Sequence, residues 1–268
     1  MKTIDLVIVG AAKAGTTSLE QMLVASGANR VGKRKPLFGD ELETDEISVA
    51  RQQLSQMDEG DFAFHVRADY LASEDAINAI SKDTTAHVVM ICRDPSERLW
   101  SHFYHDYRKG RKYTAKGFAS WLDSQQGKRA IALSQYGKAL ELLINHLNES
   151  RLTVLFTEDL HDRAKMETVF KNWGLSSLVL SPNIKKNEGR MPRNATLTRC
   201  LNQVIEPLPK GRLKTLAISF RNKLLTTANT PPTLPKEVRS ALIHRFFAED
   251  IQLFEKLSGH DTCWSVSD

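Results

Sequence analysis

Cysteine is scarce in this sequence. Cys92, Cys200 and Cys263 are the only three in 268 residues, and they stand far apart. That spacing excludes a disulfide framework and the paired cysteines of a structural zinc site. Cys92 lies inside an apolar run and reads as a small core residue. Long apolar stretches are missing too. No run approaches the roughly 20 residues that a bilayer-spanning helix needs. The chain enters a strand-like segment almost at once, so no signal peptide or membrane anchor is expected. There is no internal repeat and no low-complexity tract. Neither sign of charge dominates: 37 Lys and Arg against 32 Asp and Glu leave a net +5. So mild a basic excess suits an anionic ligand, and suits a plain solvated surface equally well. With 41% apolar residues the chain can bury a substantial core.

One further absence is informative. The strand-like run Ile4–Val9 leads into Gly10-Ala-Ala-Lys13-Ala-Gly15-Thr16-Thr17-Ser18, and then into the helix-like Leu19–Leu23. Strand, Gly-x4-Gly loop and helix together make an anion cradle, because loop amides and a helix N-terminus converge on one point. A nucleotide-triphosphate loop would carry Lys directly after its second glycine. Here Thr16 holds that place, and the lysine has moved into the loop as Lys13. The candidate anion-binding residues are therefore Lys13, Ala14, Gly15, Thr16, Thr17 and Ser18.

A second segment narrows the reading. The apolar strand His87–Cys92 runs into Arg93-Asp94-Pro95-Ser96-Glu97-Arg98-Leu99-Trp100-Ser101, followed by His102-Phe103-Tyr104-His105. This resembles the 3′-phosphate segment of sulfotransferases that use 3′-phosphoadenosine 5′-phosphosulfate (PAPS), where strand-Arg-Asp-Pro-x-x-Arg-x-x-Ser recurs. The first segment resembles their 5′-phosphosulfate loop. The likeness is nearest to the carbohydrate branch, the heparan-type and related bacterial enzymes. It covers residues 4–26 and 86–107, more faintly 133–160, and little else.

The resemblance implies PAPS as co-substrate and PAP as product. It also implies sulfuryl transfer to a hydroxyl or amine, with a glycan as the expected acceptor. Lys13 is the expected cation for the leaving phosphate, a need shared with phosphoryl transfer. Arg93 and Ser101 would hold the 3′-phosphate. No metal is implied, and neither a nucleic-acid partner nor an integral membrane segment. Arg98 reads equally well as a salt-bridged helix-surface residue, and Asp94 as a helix cap. Trp100, Phe103 and Tyr104 read first as core.

The acceptor also needs a base. The carbohydrate branch has Lys-Glu-x-x-Phe after its first helix, whereas this chain has Arg34-Lys35-Pro36-Leu37-Phe38, with Asp40 and Glu41 a few residues later. Two histidines compete for the role, with Asp40 or Glu41 as the alternative if the 33–41 loop folds inward. His65 stands at the end of a short strand. His105 lies one helical turn beyond Ser101. For each, a structural histidine is as good a reading. Tyr136, in a Ser-x-Tyr element that resembles one in this family, fits the nucleotide, the acceptor cleft or the core. Lys186 and Arg190, with Lys185 and Arg193, form a basic stretch that reads as a lid over the cofactor, as a dock for an acidic acceptor, or as a solvated loop.

Strand-like runs at 4–9, 62–66, 87–92 and 152–156 alternate with helical patterns at 16–26, 46–57, 73–82, 95–107 and 163–173, with another around 133–147. That alternation predicts an α/β fold: a P-loop-like three-layer sandwich with a central parallel sheet. Additional C-terminal helices are expected at 197–206, 211–228 and 236–257. One sulfotransferase domain is expected over 1–268, with a cofactor-binding core to residue 181 and a basic loop and helices from 182. A cytoplasmic, bacterial enzyme is expected. Two competing readings remain: a P-loop nucleotide kinase-like enzyme, and a nucleic-acid-binding protein using the basic 183–223 region.

Overall fold

The apolar runs become the strands of one sheet. In the computed structural model they are β1 (Leu6–Gly10), β3 (Ala63–Val66), β4 (His87–Cys92) and β5 (Leu152–Phe156), joined by a two-residue β2 (Asn29–Arg30). Residues 2–32, 35–39, 42, 44–175, 178–179, 200–201, 205, 211, 216–217 and 231–265 are described. The strand order is β2-β3-β1-β4-β5, and every neighbouring pair is parallel. Leu6 stands opposite both Phe64 and His87, and Val88 stands opposite Leu152. Leu6, Val7, Ile8 and Val9 are fully buried, as are Val88 through Cys92. A sheet covered on both faces needs such continuous apolar strands rather than alternating ones. Each buried Val, Leu or Ile contributes about 1.5–3 kcal/mol over its exposed state.

Flanking helices supply the cover. α1 (Thr16–Ala25) buries Leu19, Met22 and Leu23 at helical spacing. α2 (Thr44–Ser55) and α3 (Glu74–Asp83) follow, and the Ser73 hydroxyl caps α3 by accepting from the Ala76 amide at 3.2 Å. α4 runs Pro95–Arg108. α5 (Phe118–Leu122) and α6 (Gln125–Ala132) are short helices that hydrophobic periodicity does not announce. α7 is Tyr136–His146 and α8 is Arg163–Asn172, the latter capped by Asp162 and followed by Gly174. α9 (Lys236–Leu242) passes through a π turn at Ile243–Phe247 into α10 (Ala248–Ser258). The helices expected at 197–206 and 211–228 lie largely outside the described residues.

The chain divides into two compact units. The first comprises Met1–Arg98, Leu133–Ile184 and Ser240–Asp268. It holds the whole sheet. In it, α10 closes over α7: the Asp250 carboxylate accepts from the Gly137 and Lys138 amides at 2.9 and 3.0 Å. Phe254 stacks on Trp264 at 5.6 Å between ring centroids, and the rings of Tyr136 and Phe156 pack against both. The second unit comprises Leu99–Ala132 and Lys185–Arg239. Its centre is aromatic. Trp100, Phe103, Phe118 and Trp121 interlock with centroids 4.9–6.4 Å apart, and Trp100 Nε1 donates to the Pro232 carbonyl at 2.8 Å.

Candidate active site

In an open parallel sheet the loops at the carboxyl ends of the strands form the ligand edge. The loop between β1 and α1 is built by its two glycines. A side chain at Gly10 would come within 2.8 Å of the Ala68 carbonyl and 2.9 Å of Leu71 Cβ. At Gly15, where φ is +112°, it would strike Leu160 Cδ1 at 2.5 Å. Between them Lys13 takes φ +74°, unusual for a residue with a Cβ. The Ala11 amide donates to Ile91 on the neighbouring strand at 2.9 Å. α1 has no acidic residue in its first turn, so the positive end of its dipole is not neutralised locally. The amides of Thr16 and Thr17 precede any intrahelical acceptor. Ala14, Gly15, Thr16, Thr17 and Ser18 thus form one continuous strip of loop and helix start, as the sequence predicts.

Beneath this loop lie two residues whose part sequence reasoning missed. Arg98 is fully buried. Its Nη1 donates to the Ala12 carbonyl at 3.0 Å and its Nε to Ser134 Oγ at 2.6 Å. Burial pulls its pKa down to about 10; nearby Tyr136 opposes that shift and the like charge of Arg93 adds to it. The guanidinium still carries its proton at neutral pH. Arg98 is therefore an interior brace, not a helix-surface residue. From the end of β5, Thr157 Oγ1 donates to the Ala14 carbonyl at 2.8 Å, with the Cys92 carbonyl at 3.1 Å. The position of Thr157, directly after the apolar run Leu152–Phe156, was the available signal.

Arg93 leaves β4 beside the loop, since β1 and β4 are neighbours. Its Nη2 reaches Glu97 at 2.5 Å, and both side chains are partly exposed. Asp94 is a helix cap: its Oδ1 accepts from the Ser96 amide, the Ser96 hydroxyl and the Glu97 amide. Pro95 opens α4, where its missing N–H costs nothing. Ser101 and His105 fall further along α4, in the second unit. His105 is half-buried, with Arg108 Nη2 3.3 Å from its Nδ1.

His65 sits within β3 opposite Val7, not at its tip, and is fully buried. Nδ1 faces the Val31 carbonyl at 2.9 Å and so must carry the proton; Nε2 is left to accept from the Tyr70 hydroxyl at 3.3 Å. That hydroxyl in turn accepts from the Leu37 and Phe38 amides at 2.7 and 3.2 Å. Burial lowers the His65 pKa to about 4, outweighing the Val31 hydrogen bond that favours the proton. In this setting the ring is a neutral hub that, with Tyr70, fastens Val31, Leu37 and Phe38 to the sheet. Tyr136 is buried, and among the described residues its hydroxyl has no hydrogen-bond partner. Burial raises its pKa strongly, as it does that of the Cys92 thiol. Asp40, Glu41, Lys186 and Arg190 lie outside the described residues.

Among the described residues no group of three or more His, Cys, Asp or Glu is placed to hold a metal ion. No described helix is long and apolar enough to cross a membrane. A cavity of about 330 Å³ bordered by Asp5, Asp61, Phe62 and Trp173 lies at the amino ends of the strands, away from the Gly10–Gly15 loop.

The family model of the sulfotransferase domain matches residues 3–171. The fold is similar to that of a sulfotransferase from Alicyclobacillus acidocaldarius, with TM-score 0.63 and 16% identity over 98% of this chain and 99% of that one. Weaker likenesses, both at TM-score 0.48, are to two further proteins. One is mouse sulfotransferase SULT7A1 complexed with PAP, 14% identical over 96% of this chain and 88% of that one. The other is the sulfotransferase domain of the Synechococcus PCC 7002 olefin synthase, 12% identical over 86% and 96%. No curated protein matches in sequence.

Proposed function

Because the chain belongs to the sulfotransferase domain family, we propose that it transfers a sulfuryl group from PAPS to a hydroxyl or amine, with a carbohydrate or glycoconjugate as the acceptor class. One observation carries the PAPS assignment. A lysine-bearing anion loop and an arginine leave neighbouring parallel strands at the same edge of the sheet. PAPS has two separate anionic ends, and the site offers two separate places for anions. The strip from Ala14 to Ser18, kept free of side-chain bulk by Gly15, suits the 5′ end. Arg93 suits the 3′-phosphate as a forked cation, with Ser101 as a hydroxyl donor. When bound, PAPS supplies the activated sulfuryl group. Lys13 then stabilises the charge that grows on the leaving phosphate. Lys186 and Arg190 would close over the nucleotide.

For the base we favour His105. His65 has no exposure and both ring nitrogens are engaged, which leaves it no path to an acceptor proton. A resident metal is not part of this reading, nor is a nucleic-acid partner. We take residues 1–268 as one sulfotransferase domain of a cytoplasmic, bacterial enzyme. The kinase-like alternative is not favoured by the family match.

The test is calorimetry of the purified chain with PAP in the absence of magnesium, beside ATP with magnesium. PAP is expected to bind and to raise the thermal midpoint, and ATP–magnesium to do neither. The opposite pattern refutes the reading. A screen with labelled PAPS, glycans first and then phenols, amines and peptides, identifies the acceptor; sulfation of phenols alone would refute the carbohydrate assignment.

A further inference from the structure

Lys13 is flanked by two anchored carbonyls. On one side the Ala12 carbonyl is held by Arg98 Nη1 at 3.0 Å, and on the other the Ala14 carbonyl is held by Thr157 Oγ1 at 2.8 Å. The anchors come from different elements, α4 and the segment after β5, and Arg98 is itself fixed by Ser134. We infer that Arg98 and Thr157 are positioning residues that clamp the loop on both sides of Lys13 and aim its amides at the anion. The inference rests on the sulfotransferase reading for the identity of that anion.

Peptide geometry explains how the clamps act. In a trans peptide the carbonyl and the following N–H point in opposite directions. The Ala12–Lys13 and Ala14–Gly15 peptides are both trans. Fixing the Ala12 carbonyl downward therefore turns the Lys13 N–H away from Arg98, and fixing the Ala14 carbonyl turns the Gly15 N–H away from Thr157. A free loop would have no reason to keep this shape, because a left-handed backbone (φ +74°) is strained for a residue that, like Lys13, carries a Cβ. The clamps keep those two carbonyl oxygens, which would repel an anion, on the side away from it. They also provide the preorganisation that makes charge stabilisation effective.

Thr157 gives the cleaner test, since Thr157→Val keeps shape and removes only the hydroxyl. Amide hydrogen exchange of residues 11–16 is measured on the ligand-free chain, and PAP affinity by calorimetry, for the parent protein, Thr157→Val and Thr157→Ser. The expected result for Thr157→Val is faster exchange in this segment, with PAP affinity about five- to tenfold weaker, the net worth of one hydrogen bond, and an almost unchanged thermal midpoint. Thr157→Ser, which restores the hydroxyl, should recover both. Arg98→Lys cannot reach Ala12 and Ser134 together and should weaken PAP further if it folds. Unchanged exchange in Thr157→Val overturns the clamp. Faster exchange with unchanged PAP affinity overturns its service to the ligand. If the parent chain does not bind PAP at all, the PAPS reading fails, while the exchange data still decide whether the clamp exists.

Discussion

Replacing Arg93 with alanine removes the cation that leaves β4 beside the anion loop. A charge-assisted contact to phosphate is worth roughly 2–3 kcal/mol. Part of that must be discounted. The guanidinium is paired with Glu97 at 2.5 Å, in a partly exposed ion pair. Such a pair contributes about 0–1 kcal/mol, and a phosphate must share or displace it. The net loss is then about 1–3 kcal/mol, a five- to 150-fold fall in PAP affinity. The same ion pair sets the controls. Losing it should scarcely move the thermal midpoint of Arg93→Ala. Glu97→Gln frees Arg93 and removes a negative charge near the ligand, so PAP affinity should hold or rise. The calorimetry belongs at two ionic strengths, because attraction at a part-exposed site weakens with salt. An Arg93→Ala variant that folds normally and binds PAP as tightly as the parent would refute the assignment of the 3′-phosphate to this strand end.

Lys13→Ala should cut turnover about 100-fold at saturating PAPS while PAP binding weakens much less, since the cation acts on charge that develops in the transition state; steady-state kinetics with an identified acceptor reads this. His105→Gln should lower turnover about 100-fold or more and leave PAP affinity nearly unchanged, and near-parental turnover would remove it as the base. His65 makes stability depend on pH. Its folded pKa of about 4 lies below the ordinary 6.5, so the unfolded chain binds more protons between those values; stability is full above about pH 6.5 and falls as pH drops toward 4, by at most about 3 kcal/mol. His65→Asn should flatten the slope of thermal midpoint against pH over that window relative to the parent; His87, also lowered by burial, keeps a residual slope in both. Gly15→Ala must overcome both a 2.5 Å clash with Leu160 and a backbone at φ +112°, so the thermal midpoint should fall; Leu160→Ala should restore only the share owed to the clash.

β1 and β4 are legible in the sequence because burial on both faces writes an unbroken apolar run; β5, of which only Leu155 is fully buried, is legible by its apolar composition alone. β2 could not be read. Asn29 and Arg30 become a strand only by pairing with Ala63 and Phe64. α6 was equally hidden, since it buries just Gly127 and Ala130. The tight approach of Gly127 to the Trp121 carbonyl is a fact of packing, not of periodicity. In the site, the anion loop was visible because glycine spacing records a backbone need. Arg98 was not. An arginine beside Glu97 on an amphipathic helix looks solvated, and its burial depends on a carbonyl 86 residues earlier and a hydroxyl 36 residues later. For His65 the strand was legible but the partners were not, because Val31 and Tyr70 approach the ring only once β3 has joined the sheet.

The closing of α10 over α7 also sets an order of events during synthesis. The first amides of α7 find their acceptor in Asp250, and the Phe156 and Tyr136 rings find theirs in Phe254 and Trp264. A chain growing from its amino end thus has all five strands outside the ribosome while one side of its first unit is still bare. The nascent protein must carry that exposed aromatic face through the translation of nearly a hundred more residues, and only the emergence of the helix around Asp250 lets the unit fold cooperatively.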